Sequence, residues 1–402
     1  MAKRCFLISI LILSAFVDAP SYVSVGPVSL MGALTILYTI ALGMFLVRQP
    51  KSAWNGFKRI WPMSCLLLLS TFQCVLSRFS LQEAQNVCLL WVFVTLLVVT
   101  MSSEREGPDE AEVGRVLLGA MAFAALSYAL IVLGVGFGPD AIGASSWIAA
   151  RSFALYALLG LGLLLGRWAM GSRISLYLAL ALIVIIALSL SRTALVAGVA
   201  LIPISRFRSP SLRLMWRTAF LSGVTAVLLL YFVSQLDPLR SRFIGDKSYS
   251  DFLSGDASVD TSGRLAAWGV TLDSYIESPW LGKGPGSANS LVAETLYEFD
   301  LDHPLNEYLR FLHDSGLLGL ALLLAGCAQL LVFCHRALRK SGTTNPALAG
   351  FHWGTFLALV AVLLSMFTDN TSSYLFVMAP LAVLLGTSLR SLDASVAGKG
   401  AG

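Results

Sequence analysis

The block His303-Pro304-Leu305-Asn306-Glu307-Tyr308-Leu309-Arg310 sets a base, an amide, an acid and a cation close together in the chain. Proline favours a first helical turn, so the sequence predicts a helix from Pro304 with His303 near its cap. His303, Glu307 and Arg310, at steps of four and three, would then share one face, bordered by Asn306. Such a set beside the positive end of a helix can hold an anion and move a proton. A plainer reading stays open, in which His303 and Asn306 cap and Glu307 merely pairs with Arg310.

Several arginines extend this chemistry. Arg192, in Leu188-Ser189-Leu190-Ser191-Arg192-Thr193-Ala194, lies between two apolar runs with almost no loop between them. An arginine in hydrocarbon costs roughly 2.5–3.5 kcal/mol on insertion scales, so it is either functional or paired, or it snorkels to the headgroups. Arg151 and Arg78 hold similar edge positions, where snorkelling is sufficient. Arg264 follows Ser262-Gly263, and glycine lets backbone approach a ligand closely. Because the guanidinium fork donates paired hydrogen bonds to phosphate, arginines gathered at one edge suggest a phosphorylated lipid headgroup. Asp369-Asn370, between the last two apolar runs, either lines the same cavity or forms a hairpin turn.

The elements that must carry these residues belong to a membrane protein. Of 402 residues 56% are hydrophobic and 51 are charged (28 basic and 23 acidic), half the share of a soluble domain. A water-soluble enzyme, a disordered chain, a coiled coil and a collagen are excluded. A net charge of +5 is too small and scattered for a nucleic-acid binder. Cys5, Cys65, Cys74, Cys88, Cys327 and Cys334 lie in or beside apolar runs, without zinc-ligand spacing, and read as small core residues. No metal or cofactor is expected.

Apolar runs predict an all-α polytopic protein with twelve transmembrane helices: 5–17, 28–47, 60–77, 86–102, 114–136, 150–168, 174–190, 193–205, 216–234, 314–336, 350–368 and 372–390. The first could instead be a signal peptide, but Pro20 disfavours cleavage after Ala19 and a retained helix is preferred. With both termini cytoplasmic, 19 of the 28 Lys and Arg fall on the inner side, as the positive-inside rule requires. The organisation is then helices one to nine over 1–234, a long periplasmic loop over 235–313, helices ten to twelve over 314–390 and a frayed cytoplasmic tail over 391–402. Twelve of the 23 acidic residues sit in that loop. Within it Arg264 to Glu277 has a helical pattern, Gly282-Lys283-Gly284-Pro285-Gly286 is a turn, and 290–299 is a second short helix. Amphipathic helices there would lie on the membrane or roof a cavity.

Together these residues resemble the O-antigen ligase/polymerase superfamily of bacterial envelope glycosyltransferases. The resemblance rests on Ser191-Arg192-Thr193-Ala194, on Ser262-Gly263-Arg264 with Trp268, on Ser278-Pro279-Trp280-Leu281-Gly282-Lys283-Gly284, and on His303 through Gly319. It implies a GT-C-like membrane fold in the bacterial inner membrane, with a periplasmic active site and metal-independent transfer of glycan from an undecaprenyl-diphosphate carrier to an acceptor hydroxyl. It implies that Arg192 and Arg264 bind the donor diphosphate and that the histidine block supplies the catalytic base, with Asn306, Tyr308, Arg310, Arg151 and Asp369 lining the substrate. The chain departs from the family pattern in one respect: Leu305 stands where His usually precedes Asn, so the base is either His303 or Glu307. The blocks at 304–310 and Thr368-Asp369-Asn370 look more like Wzy-type and exopolysaccharide polymerases than like ligases, which transfer to lipid A–core. A flippase and a chain-length regulator are the partners this implies. The competing class is a twelve-helix transporter, against which stand scarce intramembrane acids and charge concentrated in one loop.

Overall fold

A helix rises about 1.5 Å per residue, so crossing a hydrocarbon core of about 30 Å takes about 20 residues. By that measure the computed structural model corrects the expected count of twelve spans. It describes residues 2–16, 24–25, 28–76, 81–102, 107–135, 149–207, 220, 224, 263–297, 301–341 and 345–397. Among these, six helices are long and apolar enough to cross a membrane, or seven if one bent pair counts as a span. They correspond to the runs at 86–102, 114–136, 150–168, 314–336, 350–368 and 372–390.

In chain order the helices are α1 (Ala2–Leu13), α2 (Leu30–Arg48), α3 (Pro50–Arg59), α4 (Trp61–Leu76), α5 (Leu81–Met101), α6 (Glu110–Val135) and α7 (Ala150–Ala169). They continue as α8 (Arg173–Leu188), α9 (Arg192–Ile204), α10 (Arg264–Tyr275), α11 (Ser287–Thr295), α12 (Glu307–Ser341), α13 (Pro346–Ser365) and α14 (Leu375–Ala397). A two-residue β-ladder pairs Ser24–Val25 with Val28–Ser29. Five runs fall short for identifiable reasons. α1, α4, α8 and α9 have 12, 16, 16 and 13 residues, and α2 bends by 109° into α3. The sixth, 216–234, lies outside the described residues except for 220 and 224, as do Arg78, the segment from 235 to 262 and the end of the tail.

Hydropathy alone overcounts because it measures apolar runs and not continuous helix. Between α8 and α9 the chain breaks at Leu190, whose φ of 57° is left-handed, after Ser189 turns its hydroxyl back to the Ile186 carbonyl. Ser191 then caps α9, accepting from the Ala194 amide.

The centre of the bundle is a seam of small residues between α7 and α13. A Cβ on Gly166 would sit 2.4 Å from the Gly354 nitrogen, and one on Gly162 would sit 2.6 Å from the Ala358 nitrogen. Gly162 and Gly166 thus face Gly350 and Gly354, four apart on each helix, and the backbones meet without side chains between them. The bundle also has one basic end, where Lys3 reaches Gln49, Arg59 the Leu389 carbonyl, Lys340 the Leu392 carbonyl and Arg390 the Pro108 carbonyl. The residues with catalytic chemistry gather at the other end. Of the cysteines only Cys74, Cys327 and Cys334 are buried, while Cys5 and Cys65 are exposed, so a core role holds for half of them.

Candidate functional site

The site is built around a helix that breaks where it would enter the membrane. The 35 residues of α12 are two helical pieces joined at Gly316, which has φ 66° and ψ −169°, a conformation only glycine takes cheaply. A break frees backbone groups that must find partners in an apolar surrounding. The Ser278–Gly284 turn supplies them: Leu317 N donates to Pro279 O at 2.8 Å and Leu318 N to Trp280 O at 3.2 Å. In return Lys283 N donates to His313 O at 3.0 Å and Gly284 N to Asp314 O at 2.8 Å. Contact is so close that a Cβ on Gly282 would lie 2.4 Å from Asp314 O, and one on Gly316 2.3 Å from Trp280 O. The Gln73 amide of α4 also donates to Leu281 O, and Ser315 donates to the Gln73 side-chain oxygen at 3.1 Å.

Asp314 fastens the next element. Its carboxylate accepts from Gly286 N at 2.8 Å, Ala288 N at 2.9 Å and Ser287 Oγ at 3.1 Å, capping the positive end of α11. Beside it the buried His313 ring lies between Ser287 Oγ (3.1 Å) and Ser274 Oγ (3.0 Å). Lys283 donates to Ser274 at 2.8 Å and pairs with Glu277 at 2.5 Å. Sequence reasoning passed over His313 and Asp314 because they continue an ordinary helical pattern. The signal was their position just before a Ser-Gly pair that follows a glycine-rich turn.

The helix expected from Pro304 starts at Glu307 instead, because Leu305 takes a left-handed φ of 52°. Asn306 is the cap, accepting from Leu309 N at 3.1 Å. His303 therefore precedes the helix and does not share a helical face with Glu307 and Arg310. Glu307 is fully buried and accepts from Arg310 Nε at 2.7 Å and Nη2 at 2.6 Å, all on Oε2. Its Oε1 finds no hydrogen-bond partner. Arg310 also donates to Ser372 Oγ at 2.8 Å and lies 3.8 Å from Asp314. Of the plainer reading, capping by Asn306 and pairing of Glu307 with Arg310 are present, while His303 caps nothing. Tyr308 turns away, donating to Leu363 O at 2.8 Å and packing on Phe367.

His303 is half-buried, with Nδ1 buried and unpartnered and Nε2 3.8 Å from Asp302. Burial holds its pKa below the ordinary 6.5; Asp302 and Glu307 oppose this, while the charges of Arg310 and Arg151 reinforce it. The imidazole is therefore neutral near pH 7 and able to accept a proton.

Arg151, in the first turn of α7, makes a paired contact with Asp369: Nε to Oδ2 at 2.8 Å and Nη2 to Oδ1 at 2.7 Å. Next to it Thr193 and Thr368 share a hydrogen bond of 2.7 Å, which brings the start of α9, and with it Arg192, beside the same 366–374 connection. Arg264 opens α10, and Trp268 one turn later donates to Pro304 O at 2.9 Å. The block at 303–310, Arg151 and Asp369 are thus brought together, with the helix starts bearing Arg192 and Arg264 alongside. Among the described residues no group of three His, Cys, Asp or Glu side chains could hold a metal ion.

No curated protein matches the chain. A protein-family model described as O-antigen ligase matches residues 176–324, a stretch that contains Arg192, Arg264, the glycine-rich turn and the whole of the 303–316 block. Residues 176–324 are therefore similar to the O-antigen ligase family, and the six long apolar helices mark the chain as a polytopic membrane protein.

Proposed function

We propose that the chain transfers glycan from a lipid-diphosphate donor to an acceptor hydroxyl, as a ligase-type glycosyltransferase of the bacterial inner membrane whose site faces the periplasm. The single observation that carries this reading is electrostatic. Arg192 and Arg264 are the first residues of α9 and α10, and Arg151 the second of α7. Cations at the positive end of a helix are each disfavoured by about 0.3–1 kcal/mol. Asp369 already sets an anion against Arg151, and a donor diphosphate suits the starts of α9 and α10, since helix starts and guanidinium forks both bind phosphate. The orientation follows from the basic end of the bundle, which the positive-inside rule assigns to the cytoplasm.

In the reaction the acceptor oxygen attacks the anomeric carbon as the bond from that carbon to the diphosphate oxygen breaks. The departing diphosphate keeps the electron pair, and Arg192 and Arg264 stabilise its charge. His303, neutral and reachable, takes the acceptor proton; Glu307 is enclosed and committed to Arg310. Direct attack inverts the anomeric configuration.

The family description favours a ligase, whereas the sequence of the 304–310 and 368–370 blocks leans toward a polymerase. Purified protein supplied with lipid-linked glycan, with and without lipid A–core, separates them. Transfer that requires lipid A–core is the expected result. A ladder of repeats from the lipid-linked glycan alone would make the chain a polymerase, and no transfer in either arm would overturn the glycosyltransferase reading.

A further inference from the structure

On the α4–α5 side of Arg310 lies a cleft with room for about 40 Å³ of solvent, enough for a few waters or the polar edge of one sugar. Ser70, Asn86, Ser372 and Ser373 give it hydroxyl and amide groups, and Phe93 and Phe311 give it rings. Asn86 Nδ2 is buried there without a hydrogen-bond partner. An unmet donor in an apolar surrounding is unfavourable, and a ligand acceptor atom would satisfy it.

The charge of the cleft selects the ligand. Arg310 lines it together with Asp314, and the guanidinium is already flanked by Glu307 at 2.6 Å and Asp314 at 3.8 Å. On the lining itself Asp314 balances Arg310, and the buried Glu307 holds the guanidinium from behind, so the wall offers no uncommitted cation to a phosphate. Hydroxyls that both donate and accept suit it, and the C–H face of a sugar suits the two rings. Arg310 joins the cleft to the base, since its charge also acts on His303.

We propose that this cleft is the acceptor subsite and holds a neutral, hydroxyl-rich sugar next to the one that reacts, separate from the arginine-bearing helix starts that take the donor. The proposal rests on the glycan-transfer reading for the identity of its ligand. Its test uses the full chain in nanodiscs and, as probe, the host envelope glycan released by mild acid and dephosphorylated, with affinity measured by equilibrium dialysis. The wild type should bind it, and excess inorganic pyrophosphate should not compete. Asn86→Leu should weaken binding about tenfold, the worth of one hydrogen bond left unmade, without lowering the melting temperature, because the amide has no partner to lose. Should that variant fail to fold, Ser373→Ala decides in the same assay by a smaller loss. No binding by the wild type, unchanged binding in the variants, or displacement by pyrophosphate would each overturn the proposal. The two readings fail separately. Binding lost in Asn86→Leu with no glycosyl transfer detected removes the reaction and leaves the subsite. Transfer with an unchanged acceptor KM in Asn86→Leu removes the subsite and leaves the reaction.

Discussion

Arg151 and Arg310, from α7 and α12, hold the same short connection between α13 and α14: Arg151 grips Asp369 through two hydrogen bonds of 2.8 and 2.7 Å, and Arg310 holds Ser372 at 2.8 Å. The connection is thereby fixed between the His303 block and the start of α7, although nothing in its own sequence is rigid. Asp369 is 1% exposed and the Arg151 side chain 40%. Replacing Arg151 with Met should therefore strand a buried carboxylate and cost about 3 kcal/mol, the low end for a broken buried pair because of that exposure. Thermal unfolding in detergent measures it, and Arg151→Met with Asp369→Leu should recover most of the loss.

Arg192→Ala and Arg264→Ala should each abolish product while leaving expression and membrane insertion intact. Lysine at either position should restore only part of the activity, since it keeps charge and loses the fork. Product gels of the four variants decide the point; normal product in both alanine variants would refute a donor-binding role.

The pH dependence follows from His303. The neutral ring is the active form, so transfer should fall as pH drops through a pKa that burial sets below 6.5. In the His303→Gln variant that acid limb should vanish along with most of the rate. The stability effect has the same direction: the unfolded chain binds the proton more readily, so the folded state loses stability as pH falls below 6.5 toward the folded pKa. A pH–rate profile beside a pH–melting profile checks both.

Gly316→Ala should be among the most damaging single changes outside the charged cluster. Its Cβ would lie 2.3 Å from the Trp280 carbonyl at a φ of 66°, and strain with steric clash should cost more than about 3 kcal/mol. The yield of monodisperse protein is the measure. Gly269→Ala is the control, because a Cβ there meets nothing within 4 Å.

How far this could be read from sequence depended on what each signal measures. Charge and amide groups at 303–310 are rare in so apolar a chain, so they drew notice, as did Arg192 and Arg264. The break at Gly316 was hidden because glycine in an apolar run has the same hydropathy whether the helix continues or not. Leu190 and Leu305 were opaque for a related reason: leucine predicts helix, and only tertiary contacts hold it left-handed. Leu305 moved the start of α12 from Pro304 to Glu307, whereas the separation of α8 from α9 was already legible in the distinct runs at 174–190 and 193–205. The α7–α13 seam was available as two Gly-x-x-x-Gly spacings, at Gly162/Gly166 and Gly350/Gly354, which hydropathy scanning does not register.

The crossing of Gly282 and Gly316 is closed mainly by main-chain hydrogen bonds, and the side chains that clamp it, Gln73, Ser278 and Ser315, all lie outside α10 and α11. Exchanging the surface residues of α10 and α11 would leave that joint, and Arg310 beyond it, where they are. The outward faces of α10 and α11 can therefore drift without moving the break in α12 that sets Asp314 and Arg310.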